Sequence, residues 1–273
     1  MFDIFRRIKS VIENYELLLK LAAKEIKIRY KHPLLGFLWA LLVPLCILFI
    51  FKLIFSIILK ISFAGYPFFI FLATAVFPWN FFNLSVSNSS LCIQDNSSLI
   101  KKVYFPREII PISIIIANLM NFLLTLIVIL PVFLLFKVNF SPYIVFLPLV
   151  ILLQVILTIG ISLIFSGLQV QFRDVKYIVE ILLLLWFYLT PVFYPLNLIS
   201  DISKMFFKIY MLNPLTQIIT LYRISLLDGY IKTLPADLNL FYLLSLSIVN
   251  SITLFFLGFW TFKKLEPRFA DLV

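Results

Sequence analysis

The chain has 273 residues, of which 63% are hydrophobic and only 13% charged, and its formal net charge is +10. A soluble domain carries about 45–50% apolar and about 25% charged residues, so a soluble globular fold is excluded and an integral membrane protein is expected. The excess of cations does not point to nucleic acid, because segments 1–33, 87–108, 169–176 and 263–273 hold sixteen of the 23 Lys and Arg, and all four segments fall on one side of the membrane in the topology below.

Segment 1–33 predicts an amphipathic helix. Ile8, Ile12, Tyr15, Leu19, Ala22 and Ile26 recur at three- and four-residue spacing, and Lys20, Lys24, Lys27 and Lys31 follow the same period. Glu16 stands four residues before Lys20, the favourable order for a helical ion pair. Such a helix lies flat on the inner leaflet, either as an anchor alone or also as part of a partner-binding surface. Pro33 disfavours helical geometry at His32 and ends it.

Six apolar runs follow, at 34–59, 66–86, 109–136, 143–168, 177–194 and 238–262. A spanning helix needs about 20 such residues, and continuous runs are not the alternating ten-residue segments of a membrane barrel. The expected fold is an all-α membrane domain over 34–273 with six crossings. Trp39 stands at the inner end of the first span, Pro44 inside it, and Lys52 and Lys60 snorkel from its far end. That first run begins only at Leu34 and lacks a small-residue cleavage site, so no cleaved leader is expected. Cys46 and Cys92, within or at the end of apolar runs, do not make a disulfide framework.

Between spans two and three, Asn96 or Ser97 is predicted to cap a short helix over 98–104, with Lys101 and Lys102 near its end and Pro106 stopping it. This loop reads as a lever for a docked protein or as a polar turn. The next inner loop, 169–176, carries the charged pair Arg173-Asp174, a topological anchor or a partner contact. Segment 196–237 holds two apolar runs, 205–212 and 215–227, parted by Asn213-Pro214. Each is too short to span, which predicts a pair of short helices dipping into the outer leaflet. Irregular backbone at that depth survives only against protein or a water-filled cavity, so this segment is expected to line or close an exit.

Chemistry-bearing patterns are few. None of the six glycines is followed by Lys, so no phosphate-binding G-x-x-x-x-G-K-[ST] loop exists in the chain. There is a single His, His32, no paired carboxylates and no G-x-S-x-G, which leaves an enzyme reading unsupported and no metal site expected. Spans two, three, four and six carry no charge, unlike an ion-driven carrier, and no internal repeat is visible. A transporter of this kind needs its energy from elsewhere. Trp39, Trp79, Trp186, Tyr188 and Tyr194 are candidates for a conduit wall, since a ring face offers a sugar weak, repeated contact. Asn118 and Asn121, with Gln154, Ser162 and Ser166, offer polar contacts or interhelical hydrogen bonds.

Six short motifs in order carry a resemblance: Arg29-Tyr30-Lys31 with Leu35-Gly36 and Trp39; Pro106-Arg107-Glu108; Phe172-Arg173-Asp174; Thr190-Pro191-Val192-Phe193-Tyr194-Pro195; Asn213-Pro214; and Glu266-Pro267-Arg268-Phe269-Ala270-Asp271. Together they resemble the permease subunit of type-2 ABC exporters, in the polysaccharide and polyol-phosphate group that includes O-antigen, capsule and teichoic acid exporters. The resemblance implies a homodimer with two copies of a separate ATPase. ATP and Mg would sit on that partner, leaving this chain without a cofactor of its own. Docking falls to the N-terminal helix and to Asp95, Lys101, Lys102, Arg107, Glu108, Arg173 and Asp174. Residues 29–36 lead into span one, and 196–237 forms an outer gate turning at Asn213-Pro214. The implied cargo is a lipid-linked polysaccharide, O-antigen-like, moved outward across a bacterial plasma (inner) membrane with both termini cytoplasmic. A type-2 permease for teichoic acid, lipid or drug, or a membrane enzyme acting on a lipid-linked sugar, are the alternatives.

Overall fold

The computed structural model describes residues 2–30, 38–60, 62–63, 66–235 and 238–269, and it is helical nearly throughout. Helices α1 (Phe2–Glu13) and α2 (Tyr15–Tyr30) meet at Asn14, where the one N-terminal helix expected from sequence is divided. The backbone bonds Asn14 N to Ser10 O and Leu18 N to Asn14 O keep the two in line. Helix α3 (Leu38–Phe51) runs on into a π-helical stretch, Lys52–Ile58. A two-residue antiparallel ladder, Ser62–Phe63 against Tyr66–Pro67, turns the chain into α4 (Phe68–Asp95). Then come α5 (Ser97–Lys102), α6 (Ile109–Leu135), α7 (Leu147–Gln171), α8 (Val175–Tyr188), α9 (Asn197–Ile202), α10 (Lys204–Tyr210), α11 (Pro214–Leu226) and α12 (Leu240–Leu265).

Among the described residues, four helical segments, Phe68–Asp95, Ile109–Leu135, Pro142–Gln171 and Leu240–Arg268, are long and apolar enough to cross a membrane. The second span is longer than its apolar run. α4 continues two turns past residue 86, with Ser89 and Ser90 buried and Gln94 bonded to the Gln169 carbonyl. Span five is shorter than expected. α8 has 14 residues and at about 1.5 Å per residue rises only about 21 Å, less than the roughly 30 Å hydrocarbon core. It ends before Pro191, whose ring cannot continue a helix. The exit segment holds three short helices rather than two, and α11 is no surface element: every residue from Leu215 to Leu226 is buried.

The core centres on α4, which buries 20 of its 28 residues against α6, α7, α8 and α11. α12 packs along α7. A Cβ added to Gly160 would lie 2.7 Å from the backbone N of Phe255, and one on Gly258 2.7 Å from the Cα of Gly160. Two glycines facing each other are what allow the helices to touch backbone to backbone, the usual route to tight association where water supplies no hydrophobic drive. α3 and α8 are the thinly covered elements, with Trp39, Val43, Phe49 and Ile50 on one, and Ile178, Ile181 and Leu185 on the other, exposed.

A second cluster gathers one end of the bundle. Val11, Ile93, Ile100, Phe105, Ile109, Phe262 and Phe269 pack together, so α1, the end of α4, α5, the start of α6 and the end of α12 share that end. The inward ridge of α1–α2 is Ile4, Val11, Leu18 and Ala22. The stripe read from sequence lies largely beside it: Ile12, Tyr15 and Leu19 are exposed. The lysines Lys20, Lys24 and Lys27 stand next to that exposed strip. Residues 136–146 and the stretch after Leu226 meet at the opposite end, where Asp228 N donates to Asn139 O at 3.2 Å.

Candidate functional site

At the basic end, three distant segments meet in one ionic clamp. Arg7 Nη1 donates to Glu108 Oε1 at 2.6 Å and lies 2.5 Å from Glu266 Oε2. Arg107 Nη1 donates to the Glu266 carbonyl at 2.9 Å, and its guanidinium stands 5.9 Å from the Phe269 ring centroid. Thus Pro106-Arg107-Glu108, at the foot of α6, holds Glu266-Pro267-Arg268-Phe269, at the foot of α12, with α1 as the third member. Glu108 is wholly buried. That burial pushes its carboxyl above the usual carboxylate range, Glu266 adding repulsion while its own backbone N–H and Arg7 pull the other way. Desolvation works against the charge on Arg7, but the two carboxylates outweigh it and the guanidinium is held above its usual value.

Beside the clamp lies a groove of about 740 Å³ lined by Arg6, Arg7, Tyr104, Arg107 and Lys263 among others. Tyr104 protrudes from it with 103% relative exposure, and nothing in the sequence singled that residue out. Further hydrogen bonds tie the same end together. Lys24 Nζ donates to Asn96 Oδ1 at 3.1 Å, Gln94 Nε2 to the Gln169 carbonyl at 3.3 Å, and Gln169 Nε2 to the Arg173 carbonyl at 3.0 Å. The two loops read from sequence are therefore neighbours.

At the other end, residues 189–195 leave helical geometry inside an apolar chain, and their carbonyls need donors. Side chains supply them. Asn213 Nδ2 donates to the Leu189 carbonyl at 3.1 Å and to Thr190 Oγ1 at 3.1 Å. Arg223 Nη2 donates to the Val192 carbonyl at 2.8 Å. Tyr194 OH reaches the Tyr188 carbonyl at 2.8 Å and shares a 2.8 Å hydrogen bond with Tyr210 OH. Asn213 also accepts from Trp186 Nε1 at 2.8 Å and caps α11 by accepting from Leu215 N at 3.0 Å. The two proline motifs of the exit segment are one hydrogen-bonded knot.

Arg223 is the residue that sequence reasoning missed there. It is fully buried on α11, 3.7 Å from the Phe71 ring centroid, and no described carboxylate pairs with it. A desolvated cation over a ring is worth about 2 kcal/mol. A lone Arg inside an apolar run was the signal, since a membrane-embedded charge is costly and kept for a purpose.

The predicted conduit residues separate. Tyr188 is exposed and Trp39 half-exposed. Trp79 is buried between Phe82 and Phe187, at ring distances of 5.7 and 5.2 Å, and Asn118 is buried in α6. Both lie in the bundle interior of this chain. Trp186 and Tyr194 serve the knot. Asn121 is partly buried and accepts at its carbonyl from Thr125 Oγ1 at 2.9 Å. Gln154 is an interhelical link, donating to the Pro78 carbonyl at 2.7 Å and accepting from Tyr222 OH at 2.6 Å. Ser166 bonds within its own helix, and Ser162 is buried.

Of the docking candidates, Asp95, Lys101, Lys102, Arg173 and Asp174 are exposed, whereas Glu108 is turned inward and spent on the clamp. The short helix is Ser97–Lys102 rather than 98–104, and Asn96 Nδ2 donates back to the Cys92 carbonyl at 2.9 Å, closing α4 instead of capping α5. Asn213 and Pro214 form the N-cap and first turn of α11. Arg29 and Tyr30 end α2; Lys31, Leu35 and Gly36 lie outside the described residues.

Comparison with known proteins fits this arrangement. The ABC-2 type transporter family matches residues 16–227. An O-antigen export system permease protein RfbA of Klebsiella pneumoniae is 34% identical over 262 residues, 95% of each chain. One of the same name from Myxococcus xanthus is 34% identical over 224 residues, 81% of this chain and 84% of the relative. The polysialic acid transport protein KpsM of Escherichia coli is 31% identical over 217 residues, 77% and 80% of the two. With the match running from α2 through α11 and taking in the proline knot, the chain belongs to the ABC-2 type transporter membrane family.

Proposed function

We propose that the chain is the membrane-spanning permease subunit of an ATP-driven exporter, moving a lipid-linked, O-antigen-like polysaccharide from the cytoplasmic to the outer face. One observation carries the reading: end-to-end similarity to permeases named for O-antigen export in a chain that has no phosphate-binding loop of its own. The polysialic acid relatives keep a capsule-type polymer as the second reading. The protein is a multi-pass membrane transporter subunit and not an enzyme; ATP and Mg are assigned to a separate ATPase.

The basic end faces the cytoplasm by the positive-inside bias. Six crossings are four long helices, α3 with its π-helical extension, and α8 completed by the irregular stretch to Pro195. An even count agrees with α1 and residues 263–269 sharing one end. The exposed strip Ile12-Tyr15-Leu19 beds on the inner leaflet, with the lysines beside it at phosphate depth. The thinly covered faces of α3 and α8 point to a second copy of the chain, the two enclosing the conduit. Tyr188, Tyr194 and Tyr210 form its outward track. Two ATPase copies dock on the surface made by α5, Tyr104, Arg173 and Asp174.

The test is deletion of this gene together with that of its partner ATPase in the host, with the two returned singly and together on a plasmid. Expected is loss of surface polysaccharide with intracellular accumulation of the lipid-linked form, restored only by both genes. Unchanged surface glycan in the deletion strain would refute the cargo assignment. Purification in mild detergent should bring down a stoichiometric Walker-bearing ATPase.

A further inference from the structure

Helix α8 divides into three strips at 3.6 residues per turn. Val175, Val179 and Leu183 are buried against the bundle. Ile178, Leu182 and Leu185 form a purely aliphatic exposed strip. Tyr177, Glu180, Leu184 and Tyr188 form the third, also exposed, and this one carries the single acid of the helix. Past the helix end, the main-chain carbonyl of Tyr188 accepts from Tyr194 OH, which bonds Tyr210 OH.

Glu180 has no described ion-pair partner. Lys176, one turn earlier, leans over the Tyr177 ring at 5.9 Å and makes no ion pair with it. Glu180 stands five residues past the start of α8, near the inner end of the helix; a carboxylate has a two-carbon stem and reaches the surface less readily than lysine does, and a charge turned to lipid is costly. The aliphatic strip, not this one, is built for lipid or for another helix.

We propose that Glu180 stands in the wall of the water-filled conduit, where its carboxylate accepts hydrogen bonds from hydroxyl groups of the passing glycan. This rests on the polysaccharide permease reading and adds to it a cargo-contacting residue. An ionised carboxylate only accepts hydrogen bonds, so it matches a hydroxyl-rich polymer.

The experiment uses the full chain with its ATPase in host membranes, with Cys46→Ser and Cys92→Ser as background and export checked in that background. Cysteine is placed singly at Glu180, Leu184, Ile178 and Leu182, and inside-out vesicles are treated with a charged, membrane-impermeant methanethiosulfonate. Expected is labelling of the Glu180→Cys and Leu184→Cys chains at least tenfold faster than Ile178→Cys and Leu182→Cys. Labelling at 180 should slow in vesicles from a host making the glycan, relative to a host blocked in its synthesis. Glu180→Gln should keep most export and Glu180→Leu lose most of it. Equal or reversed labelling of the two strips overturns the proposal. So does spontaneous disulfide formation between copies through Glu180→Cys, which would place the residue in a helix contact. If the cargo assignment itself were wrong, the strip pattern would persist while glycan synthesis made no difference to labelling.

Discussion

At the residue scale, the clamp and the buried arginine make opposite demands. Arg7 faces two carboxylates, so removing it strands Glu108. A buried charge left unpaired costs about 3 kcal/mol, and Arg7→Met should lower the melting temperature in detergent sharply, while Arg7→Met with Glu108→Gln recovers most of the loss. Glu108 also sets a pH dependence. Its folded carboxyl binds protons more tightly than the unfolded one, so between the ordinary Glu range and its raised value the folded state holds more protons. Stability from this group therefore falls as pH rises through that window and is regained on acidification. Melting curves from pH 7 toward 5 should show wild type gaining on Glu108→Gln; a constant difference would contradict the burial argument. The sequence named Arg107 and Glu108 but cast both as outward contacts, because a motif records which residues matter and not which way they point. Arg7 had no pattern at all; only tertiary proximity identifies it.

Elements show where periodicity succeeds. The long runs near 109–136 and 143–168 were legible because lipid and core both demand apolar residues for twenty positions or more. α8 was over-read at its far end, since hydropathy continues through Pro191 while helical geometry does not. The N-terminal stripe was found but displaced, because two apolar strips lie side by side there and spacing alone cannot say which is buried. The α7–α12 crossing was invisible, as a glycine carries no hydropathic weight. Gly160→Val would place side-chain carbon on the backbone of α12, and a destabilisation of about 3 kcal/mol is expected from overpacking, read as a loss of folded protein after detergent extraction. The end of α6 offers the opposite test. Lys137 adopts φ of 54°, with its N–H to the Leu134 carbonyl at 2.9 Å and Val138 N to the Phe133 carbonyl at 3.1 Å. That is a Schellman closure with lysine where glycine is the usual choice. Lys137→Gly should stabilise by about 1 kcal/mol, visible as a higher melting temperature.

Across the whole molecule, four of the six motifs resolve into two assemblies, an ionic one at the basic end that joins 106–108 to 266–269 and a hydrogen-bonded one at the other end that joins 190–195 to 213–214. This separates two kinds of loss of function. Asp174 is exposed, so Asp174→Ala should weaken ATPase binding about tenfold, about 1.4 kcal/mol, measured by co-purification yield. Arg107 is engaged inside the chain, so Arg107→Ala should leave the ATPase bound and hydrolysing while export falls; retained export at full rate would remove the clamp from the coupling path. The clamp also has a consequence in time. Glu266 follows the last long helix, so during translation Arg7 and Glu108 leave the ribosome long before their third partner. A chain truncated ahead of α12 leaves the α7 backbone around Gly160 uncovered and Arg7 with one carboxylate instead of two. Its N-terminal helices are then held less firmly, so limited proteolysis of the truncated chain should cut within the first thirty residues faster than in the complete one.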